Sequence, residues 1–151
     1  GLGASLALLC DVIFAAENAK IGDPHVGLGL VAGDGGAVIW AQRIGLTRAK
    51  EYLLTGELLT ATKAAEIGLI NHAVPLEELD ARVDAFCEKL LKGAMVAIRA
   101  TKVLTNLELK RLATALMDAG IAYESVSVRS ADHLEGIQAL REKRAPNFIG
   151  R

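Results

Sequence analysis

Residues 1–36 read GLGASLALLCDVIFAAENAKIGDPHVGLGLVAGDGG and carry most of the fold information in the chain. Small and apolar residues over 2–10 predict a short buried helix, and the apolar, partly β-branched stretch 11–17 predicts a strand. A second extended piece is expected at 19–23, where it ends at a proline. Five glycines within 26–36 predict a loop. The sequence therefore opens with a small α/β unit whose turns are made by glycine.

Further along the chain, the spacing of apolar residues predicts mostly helices. One helix is expected over 47–55 with a glycine at its end, and a second is capped by Thr60. Residues 70–74 are expected to form a short strand or an extended link into Pro75. The helices expected after that strand follow one another as residues 76–90, 95–107, 112–126 and 130–144. We therefore divide the chain into a small α/β part, residues 1–74, and a helical part, residues 75–151.

The composition is that of a folded protein, with 52% hydrophobic and 23% charged residues. A net charge of -1 without a basic stripe argues against nucleic acid and anionic membranes as partners. No apolar run approaches the roughly 20 residues of a membrane span. Cys10 and Cys87 are too few for a disulfide framework, which favours a reducing, cytoplasmic location. Because the chain opens inside a glycine-rich apolar segment without methionine, we expect further residues upstream.

Three features have residue types that can carry chemistry. Gly1-Leu2-Gly3 begins a helix, where free backbone N–H groups can stabilise a developing negative charge, and it can equally be a packing device. His25 is either a proton-transfer residue or a hydrogen-bonded loop histidine. Asp34 is either a general base or the N-cap of the next helix. Metal-ligand spacing, phosphate loops and dinucleotide fingerprints are missing, so we expect no metal and no cofactor.

Three motifs follow one another in a fixed order along the chain. They are the stretch 1–36 quoted above, YLLTGELLTATKAAEIGLINHAVP at 52–75 and SADHLEGIQALREKRAPNF at 130–148. Their order and spacing resemble the C-terminal portion of the crotonase superfamily, the enoyl-CoA hydratase/isomerase family. The resemblance covers essentially the whole chain.

The resemblance implies a crotonase-type α/β fold, in which the C-terminal part of a spiral of ββα units precedes a helical trimerisation region. It implies acyl-CoA thioester substrates, with coenzyme A as part of the substrate, and a homotrimer or hexamer. The backbone N–H of Leu2 takes the place of one oxyanion donor, between Gly1 and Gly3 of the substrate-binding segment. Lys143 matches a lysine that contacts the CoA phosphates of a neighbouring subunit, and Leu140 stands where an aromatic residue packs near the nucleotide.

Two positions depart from the hydratase pattern. Family hydratases carry catalytic glutamates where this chain has Ser5 and His25, so hydration by two carboxylates acting on one water is not expected. Some relatives use an aspartate near the glycine turn, and Asp34 lies one residue beyond that position. Ser5, His25 and Asp34 are therefore the candidate catalytic side chains.

Three functions are compatible with this pattern, in order of preference. The first is an acyl-CoA lyase or isomerase that acts through an oxyanion-stabilised thioester enolate, with His25 or Asp34 moving the proton. The second is an acyl-CoA thioester or C–C hydrolase on the same scaffold, which needs the oxyanion donors but not two carboxylates. The third is a non-catalytic member that binds acyl-CoA. The apolar stripes of the tail helices also predict that the chain associates with itself.

Overall fold

The fold is taken from a computed structural model that describes residues 1–151. Helices dominate, with four short strands in the first half of the chain. In order, the elements are α1 (Leu2–Leu8), β1 (Phe14–Ala16), β2 (Lys20–Ile21), a 3-10 helix (His25–Leu28), α2 (Gly36–Ile44), α3 (Leu46–Thr55), β3 (Leu59–Thr60), α4 (Ala61–Glu66), β4 (His72–Val74), a second 3-10 helix (Leu76–Glu78), α5 (Leu79–Leu91), α6 (Met95–Ser127) and α7 (Ala131–Glu142). None of the helices combines the length and apolar character that a membrane span requires.

The strands form two small ladders that hold the first half of the chain together. β1 pairs in parallel with β4, with Phe14 opposite His72, and β2 pairs antiparallel with β3. The His72 and Phe14 rings stack with their centroids 4.4 Å apart. The strands expected over 11–17 and 70–74 are therefore both present but shorter.

The core lies between α1, α2, α4 and the turn that follows α4. Leu8, Trp40 and Leu69 have no exposed surface, and they pack in a single cluster with seven further buried apolar residues. The Trp40 ring lies 6.0 Å from that of Tyr52 on α3, in a tilted arrangement. Leu8 belongs to this core, so its burial fixes the position of α1 and of the glycines at its start.

Three helix ends follow local rules, and the sequence predicted two of them, at Gly56 and Thr60. Gly56 ends α3 in the left-handed conformation, with a φ of 69°. The Thr60 hydroxyl accepts the Lys63 backbone N–H at 3.2 Å and caps α4. The Ser130 hydroxyl does the same for α7, accepting the His133 N–H at 3.0 Å. Each pair satisfies a backbone group that the helix itself leaves free.

The prediction of separate helices over 95–107 and 112–126 is wrong. The structure has one helix of 33 residues, Met95–Ser127. The four residues between the predicted helices, 108–111, are Glu-Leu-Lys-Arg, and all of them favour helix. Gly120 does not break α6 either. It gives room to Gly33, since a Cβ on Gly120 would lie 2.7 Å from the Gly33 carbonyl oxygen.

Much apolar surface stays uncovered in the helical part. Only 22 of 151 residues are buried, and none of them lies on α5 or α6. Large apolar side chains exposed on α6 and α7 are Val96, Val103, Leu104, Leu107, Leu116, Ile121, Tyr123, Val126, Leu134 and Leu140. Surface of this kind is typical of an interface. Self-association therefore remains our prediction.

The C-terminal segment folds back onto the start of α7. The Asp132 carboxylate accepts the backbone N–H groups of Ile149 (2.7 Å) and Gly150 (2.9 Å). The Glu135 carboxylate accepts the Asn147 N–H at 2.7 Å and pairs with both terminal nitrogens of Arg144. These hydrogen bonds hold the pKa of Glu135 at about 2, below its ordinary value of 4.5, with the Arg144 side chain as the main cause.

We expect the Glu135→Gln variant to be less stable than the wild type near pH 6, with a difference that shrinks as the pH falls. The folded pKa lies below the unfolded one, so the carboxylate stabilises the fold above about pH 4.5 and ceases to do so as the pH falls through about 2. Thermal melts of both proteins at pH 6 and at pH 2.5 measure the two differences. A difference that is equal at both values would contradict the assignment.

Candidate active site

The first turn of α1 leaves two backbone donors free. The N–H groups of Ala4 and Ser5 both donate to the Gly1 carbonyl, at 2.8 and 3.1 Å. Those of Leu2 and Gly3 find no acceptor in the protein, as the geometry of a helix start dictates. Two unpaired donors at the positive end of a short helix can receive an oxygen that gains negative charge.

Arg43 holds the other end of α1. Its guanidinium donates to the Leu8 carbonyl, at 2.6 Å from the closer nitrogen, and at 2.6 Å to that of Cys10. Burial lowers the pKa of Arg43 from its ordinary value, but arginine stays charged at any physiological pH. A positive charge at the C-terminal end of a helix is stabilising. The contact with Arg43 and the burial of Leu8 together fix the position of α1, and therefore the position of its first turn.

A cavity of about 540 Å³ lies beside the start of α1. Gly1, Leu2 and Gly3 form part of its wall, and Pro24 and the apolar side chains of β1 and β2 form much of the rest. Lys20 is the one charged residue among the sixteen that line it. Its size and apolar lining are those of a small-molecule site. The unpaired donors of α1 are therefore next to space that a ligand can enter.

Four polar side chains meet beside this cavity, and we call Ser5, Asp23, His25 and Asp34 the polar cluster. His25 lies between the two carboxylates: Nδ1 contacts Asp23 Oδ1, and Nε2 is 3.5 Å from Asp34 Oδ2. The Ser5 hydroxyl donates to Asp34 Oδ1 at 3.1 Å. The polar cluster does not line the cavity directly. Its link is Gly1, where an added Cβ would lie 3.7 Å from the His25 ring.

Burial makes the polar cluster more than a set of surface groups. Ser5 and Asp23 are at most 1% exposed, and the side chains of His25 and Asp34 are 12% and 13% exposed. One carboxylate oxygen of each aspartate, Oδ2, makes no hydrogen bond with the protein. A histidine between two such carboxylates can pass a proton between Nε2 and Asp34 without leaving the protein interior.

The 3-10 helix that carries His25 is supported from behind by α7. The Leu28 carbonyl lies 2.8 Å from His133 Nδ1. A Cβ on Gly136 would lie 2.9 Å from the Leu28 backbone, and one on Gly29 would lie 2.7 Å from the His133 nitrogen. The two segments touch backbone to backbone, which only glycine permits.

The structure brings some of the predicted site residues together and leaves others apart. Ser5, His25 and Asp34 meet in the polar cluster, next to the start of α1. Leu140 and Lys143 are exposed at the C-terminal end of α7. No hydrogen bond or ion pair joins either of them to the polar cluster. Lys143 adopts the left-handed conformation, with a φ of 55°, which is rare for a residue with a side chain.

The alternative prediction that Asp34 caps the next helix is wrong. The N-cap of α2 is Gly35, with a φ of 118°, and no side chain makes a capping bond there. This turn directs the Asp34 side chain toward Ser5 and His25 instead. Asp23 is a further member of the cluster that was not among the predicted site residues. Its signal was present, since an aspartate two residues from a candidate histidine can reach the imidazole.

The sequence contains no metal-binding motif, but the folded chain brings three possible metal ligands together. In space, ligand atoms of Asp23, His25 and Asp34 lie within 4.8 Å of one another, a set that could hold a divalent cation. Asp23 and His25 are two positions apart and Asp34 follows nine positions later, a spacing that matches no common metal-binding motif. The Nδ1 of His25 already contacts Asp23 directly, which is the geometry of a hydrogen-bonded pair.

Comparison with known proteins gives this site its context. The model of the family described as enoyl-CoA hydratase/isomerase matches residues 1–151. The chain belongs to this family. Along its whole length it is 34% identical to a crotonyl-CoA hydratase of Syntrophomonas wolfei, of which it covers 58%. It is 37% identical to an enoyl-CoA isomerase/hydratase of Mycosarcoma maydis, again over its whole length and over 56% of that protein.

Solved structures of the family confirm the predicted crotonase-type fold. An enoyl-CoA hydratase of Mycobacterium avium subsp. paratuberculosis superposes with a TM-score of 0.92 at 34% identity, over 99% of this chain and 61% of that one. A β-diketone hydrolase of the cyanobacterium Anabaena gives a TM-score of 0.75 at 34% identity, over 80% of this chain and 49% of that one. The chain thus spans little more than half the length of these enoyl-CoA hydratase/isomerase relatives.

Proposed function

We propose that the protein acts on acyl-CoA thioesters as a lyase or isomerase, through an enolate that the start of α1 stabilises. The observation that carries the proposal is the pair of unpaired backbone donors, at Leu2 and Gly3, beside a cavity of about 540 Å³ and close to His25, whose side chain is 12% exposed. The hydratase and isomerase names of the relatives support the same substrate class.

The proposed reaction divides the work between two groups of atoms. The Leu2 N–H donates to the thioester oxygen and stabilises the negative charge that appears when a proton leaves the carbon next to the carbonyl. His25 takes that proton on Nε2 and exchanges it with Asp34, 3.5 Å away. Ser5 holds Asp34 in place by its hydrogen bond. Returning the proton to another carbon completes an isomerisation.

The remaining parts of the proposal concern assembly and location. We propose that Leu140 and Lys143 contact the CoA of a neighbouring subunit in a homotrimer or hexamer, because both are exposed on the tail and α6 and α7 carry uncovered apolar surface. No cofactor beyond the CoA of the substrate is needed for the proposed step. The two unpaired thiols, Cys10 and Cys87, support a reducing cytoplasmic location.

Hydrolysis of a carbon–carbon bond between two carbonyl groups is the second candidate. Two observations favour it: the likeness to the β-diketone hydrolase, and a histidine flanked by carboxylates where family hydratases carry glutamate. Water gives a proton to His25 while its oxygen bonds to one carbonyl carbon. The carbon–carbon bond then breaks, its electron pair leaves as an enolate held by the α1 donors, and the proton returns to carbon.

A substrate panel tests the proposed function. We expect turnover of at least one β,γ- or α,β-unsaturated acyl-CoA. Turnover is monitored as loss of the enoyl absorbance or, by NMR, as migration of the double bond. Release of free CoA thiol, or ring opening of a cyclic 1,3-diketone, would favour hydrolysis instead. Thermal stabilisation by acyl-CoA without any product would support a non-catalytic binding protein. If no acyl-CoA is turned over and none stabilises the protein, the acyl-CoA assignment is overturned.

A further inference from the structure

We infer that Asp23 is the positioning residue of the site, which holds His25 in the tautomer with its proton on Nδ1 and so leaves Nε2 as the proton-accepting nitrogen. The inference rests on the proposed function only for the identity of the substrate. The predicted tautomer of His25 does not depend on which substrate the protein binds.

The hydrogen bonds of Asp23 fix the orientation of the imidazole. Asp23 Oδ1 contacts His25 Nδ1 and also lies 3.4 Å from the His25 backbone nitrogen, which donates to it. A carboxylate can only accept, so Nδ1 must donate, and a neutral imidazole then has its lone pair on Nε2. That nitrogen faces Asp34 Oδ2, 3.5 Å away, where it can accept a proton from the carboxyl group when Asp34 carries one. Pro24 lies between the two residues and restricts the chain that joins them.

Gly36 provides the space in which the Asp23 carboxylate sits. A Cβ on Gly36 would overlap the Asp23 Oδ2 atom, so any other residue would displace the carboxylate. Gly36 is also the first residue of α2, and the start of a helix favours a negative charge beside it. Asp23 is 1% exposed. A buried carboxylate is costly unless it is hydrogen-bonded, and the ring and backbone nitrogens of His25 both contact its Oδ1.

The role differs from that of a structural carboxylate by its effect on proton location. An amide at position 23 can turn its NH₂ group toward Nδ1, which moves the imidazole proton to Nε2 and removes the accepting lone pair. The histidine would remain in place but would face Asp34 with a donor instead of an acceptor. We therefore expect the Asp23→Asn variant to fold and to bind substrate but to transfer protons slowly.

Nitrogen NMR of the ¹⁵N-histidine-labelled protein tests the inference directly. We expect His25, assigned by the loss of its signals in His25→Ala, to show a protonated Nδ1 and an unprotonated Nε2. In Asp23→Asn we expect the tautomer to change and kcat to fall on the order of 100-fold, with KM little altered. The matched control is Asp11→Asn, which removes an exposed carboxylate that pairs with Lys102. It should keep both the spectrum and the rate.

The outcomes separate this inference from the proposed function. A wild-type His25 that carries its proton on Nε2, or an Asp23→Asn variant with unchanged tautomer and kcat, would overturn the inference. Signals of His25 that move on adding Zn²⁺ at stoichiometric concentration would also overturn it, in favour of a metal site. The expected tautomer in a protein that turns over no acyl-CoA and no diketone would leave the inference standing and reject the function. The wild-type spectrum decides even if Asp23→Asn fails to fold.

Discussion

Replacing Leu2 with proline should lower kcat by about 10²- to 10³-fold while the protein stays folded. Leu2 is the first residue of α1, and proline is favoured at that position of a helix because its missing N–H is one that the helix does not use. The substitution therefore removes one backbone donor beside the cavity and leaves the hydrogen bonds of Ala4 and Ser5 to Gly1 in place. Steady-state kinetics on the substrate identified by the panel measure the effect.

Leu2→Ala is the matched control for this experiment. It removes a side chain that is 56% exposed but keeps the N–H, so we expect its kcat to stay within a few-fold of the wild type. Circular dichroism and thermal melts establish that both variants retain α1. Equal rates in the proline and alanine variants would show that the Leu2 amide is not an oxyanion donor, and the role proposed for it would have to be abandoned.

His25→Ala should lower kcat by about 10²- to 10⁴-fold, the range that general acid–base catalysis contributes. The imidazole is the one group of the polar cluster that contacts both carboxylates, so its loss breaks the proton path as well as removing the base. Asp34→Asn alone should also be slow. Because the two residues act as a unit, the double variant should be little slower than His25→Ala.

His72→Ala serves as the control, since His72 lies on β4 and stacks on Phe14 outside the polar cluster. We expect it to keep the wild-type rate. Rates for His25→Ala and Asp34→Asn that multiply in the double variant would mean that the two residues act independently. An undiminished rate in His25→Ala would remove the histidine from the mechanism altogether.

The sequence predicted those parts of the molecule that local rules determine. The ends of α3 and α4 follow from Gly56 and Thr60, and the family resemblance placed Leu2, Ser5 and His25 among the candidate residues. The sequence could not predict which of these residues lie close together in the folded chain. Ser5 and Asp34 are 29 positions apart, and their hydrogen bond depends on the turn at Gly35 and on how α2 packs against α1.

Asp23 and α6 show two further limits. An aspartate before a proline is ordinary in a turn, and nothing in the local sequence reveals that Asp23 is almost completely buried. The two apolar stripes of 95–107 and 112–126 indicate two helices, but no residue between them disfavours helix, so α6 runs through both. In both cases the missing information was tertiary: what lies against the residue.

The backbone contact between α7 and the 3-10 helix gives the last third of the chain a share in the chemistry. Leu28, three residues after His25, rests on Gly136, so a side chain added there would push on the imidazole from more than a hundred positions away in sequence. A substitution at Gly136 would therefore displace the Leu28 backbone and, through it, the 3-10 helix that carries His25. Any replacement of the C-terminal helices must therefore keep a glycine at position 136 in contact with the Leu28 backbone.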